Sequence, residues 1–453
     1  MDNRVSQDRL RVVVGLGKTG LSCVRFLHAR GYRVAVNDTR ENPPGLEELR
    51  RDFPDVRFSL GRLDESLLLE AGEIITSPGI SINEPALLSA RMNAGIPVIG
   101  DIELFCREAR APIVAITGSN AKSTVTTLVG LMAEKAGINV GVGGNLGTPV
   151  LELLKPDIRL YVLELSSFQL ETTHSLRAAA AVVLNISEDH MDRYKNMQEY
   201  HRAKHRIFRN CQFYITNRQD DLTVPLLPQS VPHCSFGTDM PDLNNWGVIR
   251  EADAVWLARG QEKLLRASDM IIFGEHNIAN ALAALALGDA VNIPMPAMLA
   301  TLREFPGLPH RCQLVTRHRG VSWYNDSKGT NVGATLAALN GLGPVIAGKV
   351  VLIAGGQGKG QDFSPLAPAM LEFGRAVVLI GEDAQAIDAA LAKETLRLHA
   401  VSLQEAVAAA DRLAVAGDAV LLSPACASFD MFSNYEDRGH RFVAQVRQQT
   451  EAA

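Results

Sequence analysis

The sequence has no apolar run that approaches the roughly 18 residues needed to cross a bilayer. It also lacks a long basic cluster, and its 45 basic and 50 acidic residues give a net charge of −5. The opening residues, MDNRVSQDRLRVVVG, contain no apolar core typical of a secretory signal peptide. We therefore expect a cytoplasmic protein with no nucleic-acid partner and no membrane insertion.

Cysteine and aromatic residues are also few. The six cysteines are scattered through 453 residues without a C-x-x-C pair, which argues against a disulfide framework or a zinc site. Aromatic residues make up 6%, but hydrophobic residues reach 47% and charged residues 21%, as in ordinary globular proteins. At roughly 150 residues per domain, the length favours about three domains.

Short apolar runs alternate with helix-like segments along most of the chain, which predicts an α/β protein with parallel sheets. One break falls near AGIPVIGDIE, and a proline-containing linker, FPGLPHRCQ, precedes a third α/β unit. We predict domains over residues 1–99, 100–307 and 308–453. Residues 217–270 are rich in Pro, Asn and Asp, and we expect small antiparallel strands or loops there.

The first of two glycine-rich loops is GLGKTG, in which Gly15, Gly17 and Gly20 follow a predicted strand and open a helix. Asp38 ends the next predicted strand, about 20 residues further on, as in dinucleotide-binding units. Glycines allow the backbone to approach a phosphate, and a helix N-terminus favours its charge. The pattern predicts a diphosphate site but does not distinguish NAD from another nucleotide diphosphate.

The second loop, TGSNAKST, has the parts of a shortened phosphate-binding loop. Gly118 allows a close backbone approach, Lys122 can reach terminal phosphates, and Ser123 or Thr124 can bind Mg²⁺. Ala121 stands where a glycine usually precedes the lysine. Because a β-carbon is disfavoured in the left-handed region, we predict that Ala121 has a negative φ.

Eight segments, taken together and in this order, closely resemble the Mur ligase family, whose members build the peptide stem of peptidoglycan. They are TGSNAKST, YVLELSSFQLE, LNISEDHMDRY, YHRAKHRIF, GEHNIANALAA, GLPHRCQ, YNDSKGTN and LSPACASFDMF. The resemblance extends over essentially the whole chain. Within the family, the segments LELSSFQLE, EDHMDRY and GLGKTGLS are most similar to those of the members that add D-glutamate.

The resemblance implies a fold and a reaction. The fold is a Rossmann-like UDP-binding domain, a P-loop ATPase domain and a Rossmann-like C-terminal domain that closes over the site. The reaction uses ATP and two Mg²⁺ ions to phosphorylate the alanine carboxylate of UDP-N-acetylmuramoyl-L-alanine. The amine of D-glutamate then attacks the acyl phosphate, and phosphate is expelled.

The resemblance also implies catalytic and metal-binding residues. The catalytic set is Lys122, Glu164, His190, Lys204 and Lys328. The metal ligands are Ser123, Glu164, His190 and Lys204, the last as a carbamate. Residue pattern alone favours a solvated Lys204, since His201, Lys204 and His205 form one basic stripe on a predicted helix; the resemblance reverses this interpretation.

Three binding sets follow from the same resemblance. The ATP set is Gly118, Ser119, Asn120, Ala121, Lys122, Ser123, Thr124, Asn277, Asn280, Arg311, Asp326 and Lys328. The UDP-sugar set is Lys18, Thr19, Asp38, Thr39, Arg40, Gly79, Asn145, Ser166, Gln169 and His190. The D-glutamate set is Thr330, Lys359, Ser428 and Tyr435, with Tyr435 standing where phenylalanine is common.

Three other interpretations remain open at this point. GLGKTG with Asp38 suggests an NAD-dependent oxidoreductase, which leaves Lys122, Glu164 and Lys204 without a role. Ala121 is the one motive for a non-catalytic UDP-sugar-binding module. A sibling amide ligase of the same family would differ in its acceptor. Nothing in the sequence indicates an obligate interface, so we expect a monomer.

Overall fold

A computed structural model of the protein describes residues 8–228 and 230–451. Three β-sheets follow one another along the chain, and helices cover them, which confirms the predicted α/β architecture. In this described part of the chain, no helix is long and apolar enough to cross a membrane.

The first sheet is parallel throughout. Its strands are β1 (Arg11–Val14), β2 (Val34–Asp38), β3 (Arg57–Leu60), β4 (Glu73–Thr76) and β5 (Val98–Ile99). Its helices are α1 (Lys18–His28), α2 (Leu46–Asp52), α3 (Glu65–Leu69) and α4 (Pro85–Met92). The strand order is β3-β2-β1-β4-β5, which puts the glycine-rich turn after β1 at the centre of one sheet edge.

The glycine-rich turn depends on its third glycine. A β-carbon on Gly20 would lie 1.7 Å from the carbonyl oxygen of Gly15, so only glycine lets α1 pack this closely on the turn. The following helix, α5 (Asp101–Glu108), joins the first sheet to the central one. Its Glu103 carboxylate accepts hydrogen bonds from the backbone of His174 and Ser175, at 2.7 and 2.9 Å.

The central sheet has nine strands. They are β6 (Ile113–Thr117), β7 (Val140–Gly144), β8 (Leu160–Glu164), β9 (Ala180–Val183), β10 (Tyr214–Asn217), β11 (His233–Phe236), β12 (Trp246–Arg250), β13 (Val255–Arg259) and β14 (Glu262–Arg266). The helices are α6 (Lys122–Lys135), α7 (Ser167–Glu171), α8 (Met197–His205), α9 (Glu275–Ala290) and α10 (Met295–Glu304). Strands such as IVAIT are buried at every position, because helices cover both faces of a parallel sheet.

The order of the central sheet is β14-β13-β12-β11-β10-β9-β6-β8-β7. Strands β12, β13 and β14 pair antiparallel, which confirms the prediction of small antiparallel strands within residues 217–270. Helix α9 packs against α6 and buries residues 281–288, as its Ala/Leu-rich sequence predicts.

The third sheet lies in the C-terminal part of the chain. Its strands are β15 (Gln313–His318), β16 (Val321–Asn325), β17 (Val350–Gly355), β18 (Gly374–Ile380), β19 (Leu396–His399) and β20 (Ala419–Leu422). Its helices are α11 (Val332–Leu342), α12 (Leu366–Phe373), α13 (Ala384–Ala390), α14 (Leu403–Leu413) and α15 (Tyr435–Glu451). The order is β15-β16-β20-β17-β18-β19, parallel except for the β15–β16 pair.

Candidate active site

Two adjoining cavities lie between the central and C-terminal sheets, with volumes of about 370 Å³ and about 190 Å³. Both are lined by Asn120, Ala121, Arg311 and Lys328. Most of the walls are loops that follow the carboxyl ends of strands β6, β8, β9, β16, β17 and β20. This is the edge at which open parallel sheets bind ligands.

The loop between β6 and α6 forms one wall of the larger cavity. The Lys122 ammonium donates to the carbonyl oxygens of Gly118 and Ser119, each at 2.9 Å. Burial lowers the pKa of Lys122, although the nearby Glu164 carboxylate opposes the shift. Because α6 begins at Lys122, its first N–H groups lack intrahelical acceptors and can bind an anion.

The prediction for Ala121 is wrong, because its φ is 66° and its conformation left-handed. The loop must turn sharply between β6 and the first turn of α6, and neighbours hold it in that shape. The backbone N–H of Asn120 donates to the Asn185 side chain at 2.8 Å, and that of Ser119 to the Asn185 carbonyl at 2.9 Å. Such over-determined contacts sustain strained backbone at functional loops.

Replacing Ala121 by glycine should stabilise the protein. Relief of the left-handed alanine is expected to outweigh the added freedom of the unfolded chain by about 0.5–1 kcal/mol. Chemical denaturation of both proteins measures the difference. Ala136→Gly is the matched control at the other end of α6, where φ is −80°, and it should destabilise. Equal losses in both variants would contradict the strain at Ala121.

Glu164 ends β8 beside the phosphate loop. Its Oε1 accepts a hydrogen bond from the Asn145 side chain at 2.8 Å. Its Oε2 is buried and has no hydrogen-bond partner within the part of the chain that the structure describes. The hydroxyl of Ser123, the second residue of α6, accepts a hydrogen bond from the Arg311 guanidinium at 2.8 Å. Ser123 and Glu164 line the same cavity, and a hydroxyl with an unpartnered buried carboxylate oxygen fits a hard divalent cation.

The acidic and imidazole groups alone do not complete a metal site. Within residues 8–228 and 230–451, no three His, Cys, Asp or Glu side chains are grouped closely enough to hold a metal ion. Mg²⁺ commonly takes one or two carboxylates together with substrate phosphates and water. Glu164 and the Ser123 hydroxyl therefore suit Mg²⁺ brought by a nucleotide better than a permanently bound metal.

Lys204 is one of the largest fully buried side chains, with 2% exposure. Its ammonium donates to the Gly118 carbonyl at 2.7 Å and lies 4.5 Å from the centroid of the Tyr200 ring. Burial lowers the pKa of Lys204 well below its usual value, and the charge of Lys122 adds to the shift. The solvated-face interpretation is therefore wrong for Lys204.

His190 and Asp189 follow β9 and face the C-terminal sheet. The Nε2 of His190 lies 3.6 Å from Oδ2 of Asp189, and burial lowers the pKa of His190 to about 4. Asp189 accepts from the Lys359 ammonium at 3.2 Å and from the Asn331 amide at 3.3 Å. Burial would raise the pKa of Asp189, but Lys359 and His190 outweigh it and lower the pKa.

Sequence reasoning missed the bridging role of Asp189 and Asn331. The motif EDHMDRY contains Asp189 beside His190, but its sequence does not indicate a partner in another sheet. Asn331 is the last residue of YNDSKGTN and also donates to the Asn120 side chain at 3.1 Å. The signal was present in the motifs, but a bridge between two sheets appears only once the chain is folded.

Several residues of the expected ATP set line the smaller cavity. Asn277 and Asn280 line it from the start of α9, and their side chains hydrogen-bond to each other at 3.2 Å. Asp326 follows β16; burial raises its pKa to about 7, and its carboxylate accepts from the Ser423 hydroxyl at 2.7 Å. Burial lowers the pKa of Lys328 to about 8, and the Arg311 charge contributes.

All four residues of the expected D-glutamate set line the larger cavity: Thr330, Lys359, Ser428 and Tyr435. The Tyr435 ring also contacts Lys328, whose ammonium lies 3.8 Å from the ring centroid. Thus the structure brings this set to the same space as the phosphate loop.

A buried arginine that sequence reasoning missed holds these loops together. Arg438, in α15, is 1% exposed and donates to Ser327, after β16, and to the Cys426 carbonyl, after β20. Its place three residues after Tyr435, on a helix that packs against the sheet, could have indicated a positioning role.

The expected UDP-sugar residues fall in two places. Six of them lie at one edge of the first sheet, at or beyond the carboxyl ends of β1, β2 and β4: Lys18, Thr19, Asp38, Thr39, Arg40 and Gly79. Asp38 is 1% exposed and accepts from the Leu16 N–H at 2.6 Å and from the Arg40 guanidinium at 2.7 Å. Asp38 thus organises the glycine-rich turn and Arg40.

The remaining members of the UDP-sugar set belong to the central sheet. Asn145 and His190 line the larger cavity. Ser166 and Gln169 form a capping box at the start of α7, in which each side chain bonds the backbone of the other.

The protein thus has the parts of a P-loop enzyme that uses a nucleoside triphosphate and is built on three sheets. These parts are a phosphate loop, a buried carboxylate, and cations from the central and C-terminal sheets. Three family models match the chain: "Mur ligase MurD-like, N-terminal domain" over residues 9–100, "Mur ligase middle domain" over 116–288, and "Mur ligase, glutamate ligase domain" over 310–426. The chain belongs to the Mur ligase family.

Curated relatives are similar over nearly their whole length. The UDP-N-acetylmuramoylalanine--D-glutamate ligases of Acinetobacter baylyi and Pseudomonas aeruginosa are each 56% identical, covering 98% of this chain and 99% of the relative. Among solved structures, the UDP-N-acetylmuramate-alanine ligase MurC of Thermotoga maritima aligns with a TM-score of 0.62 at 18% identity, covering 97% and 99%. MurF ligase of the same organism, in complex with ADP, aligns at 0.60 and 14%, covering 98% and 96%. These structures support the fold.

Proposed function

We propose that this protein is an ATP-dependent ligase that adds D-glutamate to UDP-N-acetylmuramoyl-L-alanine through an acyl phosphate, in cytoplasmic peptidoglycan precursor synthesis. The observation that carries the proposal is 56% identity over 98% of the chain to ligases of that name. Because the chain belongs to this family, GLGKTG and Asp38 no longer favour an NAD-dependent oxidoreductase. We further propose that the protein acts as a monomer.

The phosphate loop and its neighbours would bind ATP. We assign the β- and γ-phosphates to the loop of residues 118–124, with Lys122 as the cation. The adenosine end would occupy the smaller cavity beside Asn277, Asn280 and Asp326. Arg311 and Lys328 line both cavities and would stabilise the charge on the transferring phosphoryl group.

Ser123, Glu164, His190 and carbamylated Lys204 are the residues that would hold two Mg²⁺ ions. When bound, these ions would neutralise phosphate charge and polarise the reacting oxygens. The unpartnered Oε2 of Glu164 supports this assignment. His190 would remain neutral and able to donate a nitrogen lone pair, since burial lowers its pKa to about 4.

Carbamylation of Lys204 requires the neutral amine, which burial already favours at this position. The Lys204 amine would add to carbon dioxide, forming a C–N bond and losing a proton. The product turns a buried cation into a bidentate anion close to Gly118 and the phosphates. The carbamate would then be stabilised by Mg²⁺ rather than by water.

The acceptor would lie in the larger cavity against the C-terminal sheet. Lys359 and the hydroxyls of Thr330 and Ser428 would bind the carboxylates of D-glutamate and leave its amine free. Asn145, Ser166, Gln169 and His190 would hold the sugar and alanine portion. The uridine diphosphate would lie on the first sheet, near Lys18, Thr19, Asp38, Thr39, Arg40 and Gly79.

The test is phosphate release from ATP with Mg²⁺ and UDP-N-acetylmuramoyl-L-alanine, comparing D-glutamate with L-glutamate, glycine, L-alanine and meso-diaminopimelate. We expect release with D-glutamate only, because opposite chirality would misplace the amine once both carboxylates are bound. Omission of the UDP-sugar is the control for uncoupled hydrolysis.

The other outcomes separate the alternatives. Release with a different acceptor would assign the protein to a sibling ligase. UDP-sugar binding without release by any acceptor would favour the non-catalytic binding module and would implicate Ala121.

A further inference from the structure

Arg193 reaches from the central part of the chain to a loop of the first sheet. It lies in the segment after β9, three residues beyond His190. Its Nη1 donates to the carbonyl of Pro78 at 2.8 Å and its Nη2 to the carbonyl of Ile80 at 3.3 Å. The side chain is 15% exposed, so these charge-assisted bonds are shielded from water.

Two side chains of α7 also contact the Arg193 guanidinium. Its Cζ lies 3.9 Å from the centroid of the Phe168 ring, and its Nη2 lies 3.5 Å from Oε2 of Glu171. The Phe168 ring also meets the His190 ring edge-to-face, with centroids 4.8 Å apart. Phe168 therefore contacts both Arg193 and His190. Through this ring, the arginine is linked to a residue of the proposed catalytic set.

Residues 77–80, two of whose carbonyls accept from Arg193, form a loop next to the glycine-rich turn of the first sheet. Ser77 begins this loop, and its hydroxyl donates to the Gly15 carbonyl at 3.0 Å. Its backbone N–H donates to the Val14 carbonyl at 2.8 Å. Gly79, between the two carbonyls that Arg193 binds, is exposed at the same edge. Displacement of this loop would therefore alter the surface next to the glycine-rich turn.

We propose that Arg193 is a positioning residue that fixes the 77–80 loop for the uridine diphosphate end of the substrate and couples it to His190. The inference rests on the proposed function, because it assumes that the first sheet binds the UDP portion. Arginine suits this role, since its planar fork can bind two carbonyls while its face stacks on Phe168. Lysine can supply only a point charge there.

The test compares Arg193→Gln and Arg193→Lys with the wild type, measuring UDP affinity by calorimetry and the KM values of UDP-sugar and ATP. Arg193→Gln should weaken UDP binding and raise the UDP-sugar KM about tenfold, with the ATP KM changed less than about twofold. Arg193→Lys should lie between the two. Arg202→Gln, an exposed arginine on α8, is the control and should match the wild type.

Glu171→Gln is a second variant that leaves Arg193 in place and weakens its support, and it should raise the UDP-sugar KM in the same direction by less. Unchanged UDP affinity in folded Arg193→Gln and Glu171→Gln would overturn the proposal. Equal losses of UDP and ATP affinity would also overturn it, since they indicate general destabilisation. If the wild type binds UDP but ligates no D-glutamate, the proposed function fails while the UDP measurement still decides the role of Arg193.

Discussion

Lys204→Ala is expected to lower kcat by about three orders of magnitude, within the range seen when a preorganised electrostatic group is removed. The alanine cannot form a carbamate, so the bidentate anion proposed beside the phosphate loop is lost. A small carboxylate such as acetate should restore part of the activity, because the buried space left by the side chain can accept it. Phosphate release at increasing acetate concentration measures the rescue.

Two variants serve as controls for Lys204. Lys204→Arg keeps a cation of similar reach but cannot be carbamylated, and acetate should not rescue it because the space remains filled. His201→Ala removes a ring that stacks on His205 at 3.8 Å on the same helix, and it should retain nearly normal turnover. Labelled carbon dioxide should give a carbamate carbon signal in the wild type and in His201→Ala, but in neither of the two Lys204 variants. Wild-type turnover in Lys204→Ala would end the carbamate hypothesis.

The fold could be predicted because its signals are local. Buried parallel strands appear as short apolar runs such as RVVV and IVAIT, and each is followed by a helical segment. Strand ends could also be placed, which put Glu164 and the phosphate loop at one edge of the central sheet. The motifs also named residues that line the two cavities in the structure, among them Lys122, Glu164 and Lys328.

The conformation of Ala121 could not be predicted in this way. Residue preference alone favours a negative φ, but Asn185 and the direction of α6 force the loop into a left-handed turn. Tertiary contacts thus outweigh a preference of about 1–2 kcal/mol. Strain of this kind is usual where function fixes a backbone shape.

The contacts between the sheets were the other feature that sequence did not reveal. Asp189 and Asn331 are 142 residues apart in the sequence, so their hydrogen bond forms only when the chain has folded. Arg438 similarly joins the loops after β16 and β20, and the sequence around it does not predict which carbonyls it binds. A motif identifies a residue type, whereas its partner depends on the packing of distant elements.

Glu164→Gln is expected to lower kcat by about 10²–10³-fold and to raise the Mg²⁺ concentration that gives half-maximal activity. The glutamine keeps the shape of the side chain and an oxygen that can accept from Asn145. It removes the charge and replaces the unpartnered Oε2 by an amide that cannot bind a cation. Steady-state rates over a Mg²⁺ titration measure both effects.

The binding of ATP separates a metal ligand from a general phosphate-site residue. With EDTA present, Glu164→Gln should bind ATP about as well as the wild type, whereas the gain in affinity on adding Mg²⁺ should largely disappear. Glu134→Gln, an exposed change on α6, should behave as wild type in both conditions. An unaltered Mg²⁺ dependence in Glu164→Gln would exclude Glu164 as a ligand.

The Glu164→Gln and Lys204→Ala variants can also be combined. If Glu164 and carbamylated Lys204 hold parts of one metal arrangement, the second change finds little function left to remove. The double variant should then lose much less than the product of the two single losses, as residues that act as one unit do. Losses that multiply would instead mean that Glu164 and Lys204 act independently, and the shared metal arrangement would have to be abandoned.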